Sequence, residues 1–116
     1  MDDSGVKHDT GKPRTDLIPP DVLIELGELY GVGAIKYGDR NWEKGLEWGR
    51  AYAAAQRHLN KWLSGEEYDR EDGQHHLTAA IFGLFALRHY QINNIELDTR
   101  PARTVRNNLK EKESDQ

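Results

Sequence analysis

The sequence contains no cysteine, and its net charge of -4 shows no excess of basic residues. The absence of cysteine excludes disulfides, thiolate metal sites and cysteine nucleophiles. The acidic balance argues against stable nucleic-acid binding, and no apolar run approaches the length of a membrane span. The N-terminal residues lack the basic and apolar regions of a signal peptide, so we expect a cytoplasmic protein.

Proline is also scarce, and three of the four prolines fall within residues 1–20. This distribution predicts an extended N-terminal arm at 1–18, followed by a helical domain at 19–92 that the remaining proline does not interrupt. Residues 93–116 are polar and form a tail, in which 99–110 form a short helix or stay loose. No stretch has the alternating pattern of a strand, so the sequence predicts an all-α protein.

The helical domain has three segments with the spacing of amphipathic helices. The sequence predicts a first helix at 19–37, a second at 49–63 that ends before Gly65, and a third that begins between 69 and 72 and runs to 90. The second and third helices are expected to bury one apolar face each, formed by Tyr52, Ala55, Leu59 and Trp62 and by Leu77, Ala80, Ile81, Leu84, Phe85 and Leu87 respectively.

These apolar faces are wide for a chain of 116 residues. A domain of this size buries roughly two thirds of its unfolded surface, and three helices make a thin core. We therefore expect a small helical bundle whose core is completed by a second subunit in a homo-oligomer, either a dimer or a tetramer.

Two acidic segments are candidates for a metal site. Glu25 and Glu28 are three residues apart on the first helix and therefore neighbours on its surface. If the third helix starts at Asp69, then Asp69, Asp72 and His76 fall close to one line along it. Carboxylate oxygens are the ligands that Mg²⁺ prefers, usually shared with substrate phosphates, so this pattern suggests a Mg²⁺ or Mn²⁺ site.

Each of these residues also has a simpler structural interpretation. Glu25 and Glu28 could be ordinary solvated charges. Asp69 or Asp72 could cap the third helix, where acids also suit the helix dipole. His76 could be a hydrogen-bonded histidine at the edge of the core.

Other residues could bind a phosphorylated ligand that carries a base. Positive side chains that could clamp phosphates are Lys7, Lys12, Arg14, Lys36, Arg57 and His58. Tyr37 and Trp42 lie in or beside a turn-rich connector where a base could stack, and Asn41 could hydrogen-bond its edge. The alternative is that the cations are solvated surface residues and the aromatic residues belong to the core or an interface.

Two short motifs in the arm are not sufficient evidence for known phosphate chemistry. Gly11-Lys12 lacks the upstream glycine and the preceding strand of a P-loop. His8-Asp9 is weak evidence for a metal-dependent phosphohydrolase of the HD type, which needs further histidines and aspartates on a larger scaffold.

Longer stretches carry a specific resemblance. Residues 7–20 read KHDTGKPRTDLIPP and residues 33–42 read GAIKYGDRNW, and the match continues through RHL at 57–59, GE at 65–66 and HL at 76–77. Over roughly residues 6–90 the chain resembles small phage proteins known as dATP/dGTP diphosphohydrolases. That family is similar to the MazG-like all-α nucleoside triphosphate pyrophosphohydrolases, which implies the same type of helical bundle here.

The resemblance implies a metal site made of a Glu-x-x-Glu motif and a Glu-x-x-Asp motif. Glu25 and Glu28 match the first. Glu66 and Asp69 fit the spacing of the second but precede the helix. A phage subset, the MazZ type, is implied to convert dGTP to dGMP for the synthesis of 2-aminoadenine nucleotides, which would place this chain in the host cytoplasm.

From this resemblance we expect 19–92 to be a catalytic domain that acts on a purine deoxynucleoside triphosphate. Glu28 or Glu71 would orient or deprotonate the attacking water. Lys36, with Lys12, Arg14 and Arg57, would neutralise the charge on the departing pyrophosphate. Two alternatives remain open: a non-catalytic oligomeric module that binds a nucleotide or a protein, and a phosphohydrolase that releases orthophosphate.

Overall fold

The computed structural model describes residues 5–101 and contains three α-helices in that span. They are α1 (Pro20–Tyr37), α2 (Trp48–Leu63) and α3 (His76–Asn93), with short 3-10 helices at Thr15–Leu17, Asn41–Lys44 and Ile95–Leu97. An isolated bridge between Tyr68 and His75 is the one β-type pairing in residues 5–101. The all-α prediction is confirmed. No helix in this part of the chain is long and apolar enough to cross a membrane.

The first two helices begin and end close to the predicted positions. Pro20 occupies the first turn of α1, where a missing N–H costs nothing, and Gly38 follows its last residue with a φ of 94°. At the end of α2, Gly65 has a φ of 103° and its N–H donates to the carbonyl of Trp62 at 3.0 Å. A glycine in this left-handed conformation is a common helix stop.

The third helix begins at His76, so the predicted start between residues 69 and 72 is wrong. The preceding acids form local turns instead. Asp69 Oδ1 accepts the N–H of Glu71 at 2.8 Å, and Asp72 Oδ1 accepts the N–H of Gln74 at 3.0 Å. Short side chains that accept from the backbone two residues ahead favour turns over helix. Asp69 and Asp72 therefore neither cap α3 nor share a line along it with His76.

The residue that caps α3 is His75. Its Nδ1 accepts the N–H of Leu77 at 3.1 Å, while the backbone of His75 is extended. No role for His75 was predicted, because histidine is not among the residues that usually occupy this position.

Small residues bring α2 and α3 together. Ala51 and Ala55 on α2 and Ala80 on α3 are buried, and a Cβ placed on Gly83 would lie 3.3 Å from the Cβ of Ala55. Tyr30 of α1 contacts Phe82 of α3, with ring centroids 4.8 Å apart. The helix α3 is therefore central, with α2 on one side and α1 on another.

A cluster of buried hydrophobic residues lies near the C-terminal end of α3. Trp48, Ala86 and Tyr90 are buried there, and the Tyr90 hydroxyl donates to the carbonyl of Trp42. The described part of the predicted tail packs against the same end, since Thr99 accepts the N–H of Gly49 at 3.0 Å. Residues 99–101 are not helical, and the rest of the segment predicted as a possible helix, 102–110, lies outside the described residues.

The predicted buried faces of α2 and α3 are wrong for most of their large side chains. Ala55 and Ala80 are buried, but the exposed fractions of Tyr52, Leu84 and Phe85 are 56%, 48% and 53%. The exposed set also contains Leu59 and Trp62, whereas Leu77, Ile81 and Leu87 are half-buried. These side chains are exposed because α2 and α3 meet through alanine and glycine residues. The close contact leaves the larger side chains outside the interface between the two helices.

We expect Gly83→Leu to destabilise the fold by about 1–3 kcal/mol, because a side chain at this position meets Ala55 in a closely packed interface. Gly27→Leu is the matched control, since a Cβ on Gly27 meets nothing within 4 Å. Urea unfolding followed by circular dichroism measures both. Equal stabilities of the two variants would contradict the close α2–α3 contact.

Candidate functional site

An acidic cleft lies between α1 and the connector that joins α2 to α3. Its volume is about 290 Å³. Glu25 and Glu28 line it from α1, Asp72 lines it from the connector, and Thr78 lines it from α3. Three of the five predicted metal ligands therefore face a common space, although they come from distant parts of the sequence.

The carboxylates of this cleft are available to a cation. Glu25 and Glu28 are exposed, and neither has a side-chain hydrogen bond or an ion pair within residues 5–101. Asp72 uses Oδ1 to accept the N–H of Gln74, which leaves Oδ2 for another partner. This set of oxygen donors suits a hard divalent ion such as Mg²⁺.

A second concavity of about 700 Å³ is lined by aromatic side chains, and we call it the aromatic pocket. Its residues include Tyr30, Tyr37, Asn41, Trp42, Phe82 and Tyr90. The three residues predicted to contact a base, Tyr37, Asn41 and Trp42, thus line one pocket. Such apolar pockets with a few polar groups are typical of small-molecule sites.

Trp42 also has structural contacts. Its ring meets Tyr30 edge-on at a centroid distance of 6.0 Å and His89 at 4.9 Å, and its carbonyl accepts from Tyr90. Trp42 therefore packs against other aromatic rings and also lines the pocket, while its predicted contact with a base stays a prediction. Tyr37 is more exposed, at 62%, and Lys36 Nζ lies 5.1 Å from the centroid of its ring.

The acidic cleft and the aromatic pocket lie on the two flanks of α1. At about 100° per residue, Glu25 and Glu28 project from nearly the opposite side of the helix to Ala34 and Tyr37. The buried Leu26 projects within about 20° of the direction of Tyr37, towards the body of the protein. The two concavities have no lining residue in common.

A third group, the His–Asp cluster, consists of His58, Asp69 and His76. Each residue offers one nitrogen or oxygen, and these atoms lie within 4.8 Å of one another. His58 and His76 face each other through their Nδ1 atoms at 2.9 Å. Asp69 and His76, predicted as metal ligands together with Glu25, Glu28 and Asp72, do not line the acidic cleft. They meet His58, which was predicted to bind substrate.

The electrostatics of this cluster follow from burial and hydrogen bonds. Burial lowers the pKa of His58, and the neighbouring His76 lowers it further. The N–H of Glu71 lowers the pKa of Asp69, and a hydrogen bond from His76 lowers the pKa of Glu66. Both carboxyls are therefore held in their charged forms next to the imidazoles.

The remaining predicted site residues line neither the cleft nor the aromatic pocket. They are Lys7, Lys12, Arg14, Lys36, Arg57 and Glu71. Arg14 already makes a two-pronged salt bridge with Asp16, at 2.9 and 2.8 Å. Glu71 is exposed, and its backbone N–H donates to Oδ1 of Asp69.

Several lining residues were not predicted from the sequence. Tyr68, Gln74, His75 and Thr78 line the cleft, and Tyr30 and Phe82 line the aromatic pocket. The apolar spacing of α1 marks Tyr30 as inward-facing, so that residue carried a signal. The sequence contains no comparable signal for the connector residues, because their positions depend on turns that join two helices.

These features define a class: a small all-α domain with an acidic cleft and an aromatic pocket. Residues 2–100 match the family model described as "dATP/dGTP diphosphohydrolase, N-terminal", and the chain belongs to that family. A protein of Salmonella phage PMBT28 named dATP/dGTP diphosphohydrolase is 34% identical over 91 residues. The match covers 78% of this chain and 31% of that relative, so the chain spans about a third of the relative's length. No solved structure matches the chain.

Proposed function

We propose that this chain is a metal-dependent pyrophosphohydrolase that converts dGTP, or dATP, to the nucleoside monophosphate and pyrophosphate. The observation that carries the proposal is the acidic cleft, where Glu25 and Glu28 face Asp72 and their carboxylates make no hydrogen bond or ion pair within residues 5–101. Membership of the diphosphohydrolase family and the name of the phage relative support the reaction class.

Each carboxylate of the cleft has a role in the proposed reaction. Glu25, Glu28 and Asp72 would hold Mg²⁺ or Mn²⁺, which when bound neutralises phosphate charge and activates water. Glu28 is also the candidate that orients the attacking water, because it lines the cleft whereas Glu71 does not. Water attack at the α-phosphorus breaks the bond to the bridging oxygen, and pyrophosphate leaves with that oxygen.

We expect Glu25→Gln to lower turnover of dGTP by at least about a hundredfold, since even residues that only support a metal ligand are worth about 10- to 100-fold. Glu67→Gln is the matched control, because Glu67 is an exposed acid that does not line the cleft. Chromatography of the products, with and without EDTA, makes the measurement, and circular dichroism checks the fold of each variant.

The products separate the alternatives. Release of dGDP and orthophosphate, or of deoxyguanosine and triphosphate, would refute the pyrophosphohydrolase assignment. Nucleotide binding without turnover would support a non-catalytic module instead. Full activity in EDTA would refute metal dependence.

We further propose that the working enzyme is a homo-oligomer in which the cleft and the pocket that share one nucleotide belong to different protomers. The position of the two sites on opposite flanks of α1 supports this arrangement. So do the large apolar side chains that a single chain leaves exposed, such as Ile35 at 90% and Leu84 at 48%. A second subunit that covered these side chains would stabilise the oligomer by about 25 cal/mol per Å² of apolar surface removed from water.

Mixing two inactive variants tests this shared site. Glu25→Gln disables the cleft, and Ala34→Trp fills the aromatic pocket. In a dimer with random pairing, half of the molecules are mixed and each mixed dimer has one intact site of two, so about a quarter of the activity returns. No recovery after co-refolding, or a stable monomer of 13.3 kDa by light scattering, would contradict the shared site.

Base selectivity is expected to depend on Asn41, because a stacking platform alone does not distinguish guanine from adenine. Loss of one buried hydrogen bond costs about 1–3 kcal/mol, so Asn41→Ala should narrow the preference between dGTP and dATP by about tenfold. Asn60→Ala, at an exposed position on α2, is the control. Ratios of kcat/KM measure the effect, and an unchanged ratio would refute this role while leaving the reaction assignment intact.

A further inference from the structure

We propose that the His–Asp cluster binds a divalent transition-metal ion of the Zn²⁺, Co²⁺ or Fe²⁺ class, at a site separate from the acidic cleft. The ligand atoms are Nδ1 of His58, Nδ1 of His76 and Oδ2 of Asp69. None of these three residues lines the acidic cleft. The proposal does not depend on the proposed hydrolysis.

Glu66 prepares His76 for this role. The ring of His76 is fully buried, and its Nε2 lies 3.0 Å from Oε1 of Glu66. A carboxylate only accepts hydrogen bonds, so at this distance Nε2 carries the hydrogen. The lone pair of the neutral ring is then on Nδ1, which points at His58. A carboxylate that fixes the tautomer in this way is typical of metal-bound histidines.

Asp69 is also oriented by its surroundings. Oδ1 accepts the N–H of Glu71, which leaves Oδ2 directed towards the histidines, 3.9 Å from Nδ1 of His58. The main chain of Asp69 is held as well, since its N–H donates to Gln74 at 2.7 Å and its carbonyl accepts from Gly73 at 2.8 Å. The carboxylate therefore needs little reorganisation to bind an ion.

The contact between the histidines supplies the third element of the site. Two Nδ1 atoms at 2.9 Å require one hydrogen between them in the metal-free protein, donated by His58 to the lone pair of His76. A metal ion that replaces this hydrogen bonds to both rings. His58 is reached from solvent, because its side chain is 25% exposed, whereas those of Asp69 and His76 are 8% and 0% exposed.

The chemistry of the ligands selects the ion. Imidazole nitrogen suits zinc, iron and the other transition metals, whereas Mg²⁺ prefers oxygen ligands. Two histidines and one carboxylate also leave coordination positions open for water or a substrate oxygen. The ion would connect α2, the connector and α3 at one point.

Binding of Co²⁺ to the untagged full chain tests the proposal by calorimetry and visible absorption. We expect one Co²⁺ per chain, retained in excess Mg²⁺. His58→Ala should weaken binding more than a hundredfold, and Glu66→Gln by about 10- to 100-fold through its effect on His76. His8→Ala and Glu25→Gln, which alter the arm and the acidic cleft, should bind Co²⁺ as the unaltered chain does.

X-ray absorption of the Zn²⁺-loaded unaltered chain provides a measurement that needs no variant. Two imidazole nitrogens at about 2.0–2.1 Å and oxygen donors are expected. A shell of oxygen alone, binding that survives His58→Ala in a folded protein, or binding lost in Glu25→Gln would overturn the proposal. Absence of Co²⁺ and Zn²⁺ binding would overturn it as well, whatever the enzymatic activity proves to be.

Discussion

The close contact between α2 and α3 is the constraint on which the rest of the structure depends. It requires small side chains at the crossing, and Ala55 and Gly83 meet there with no room for larger groups. Because the two helices are so near, His58 on one can reach His76 at the start of the other. The same approach fixes the two ends of the connector between them, and so determines where Asp69 and Asp72 lie relative to α1.

The connector between α2 and α3 contributes one carboxylate to the His–Asp cluster and one to the acidic cleft. Hydrogen bonds within it place Asp69 towards the histidines, whereas Asp72 lines the cleft opposite Glu25 and Glu28. A change that disturbs these turns would therefore move a carboxylate at both places. Asp69 and Asp72 have the same side chain and lie three residues apart, but they face different surroundings. A turn can reverse the direction of side chains within three residues.

Much of this fold could be predicted from the sequence, and the failures have physical causes. The limits of α1 and α2 follow from apolar spacing with proline at one end and glycine at the other, which are local signals. The start of α3 could not be predicted, because Asp69 and Asp72 resemble helix caps but satisfy turn amides instead. Glu25 and Glu28 were recognisable as a pair. The meeting of His58 with Asp69 and His76 was not, because it depends on how two helices pack.

The position of the acidic cleft and the aromatic pocket on opposite flanks of α1 has an evolutionary consequence. Substitutions in the connector that follows α1, around Asn41, alter one concavity without touching the carboxylates of the other. The walls of the pocket and the acids of the cleft can therefore diverge independently among relatives. Under the proposed function, a lineage of such proteins could change its preferred base while Glu25 and Glu28 stayed unchanged.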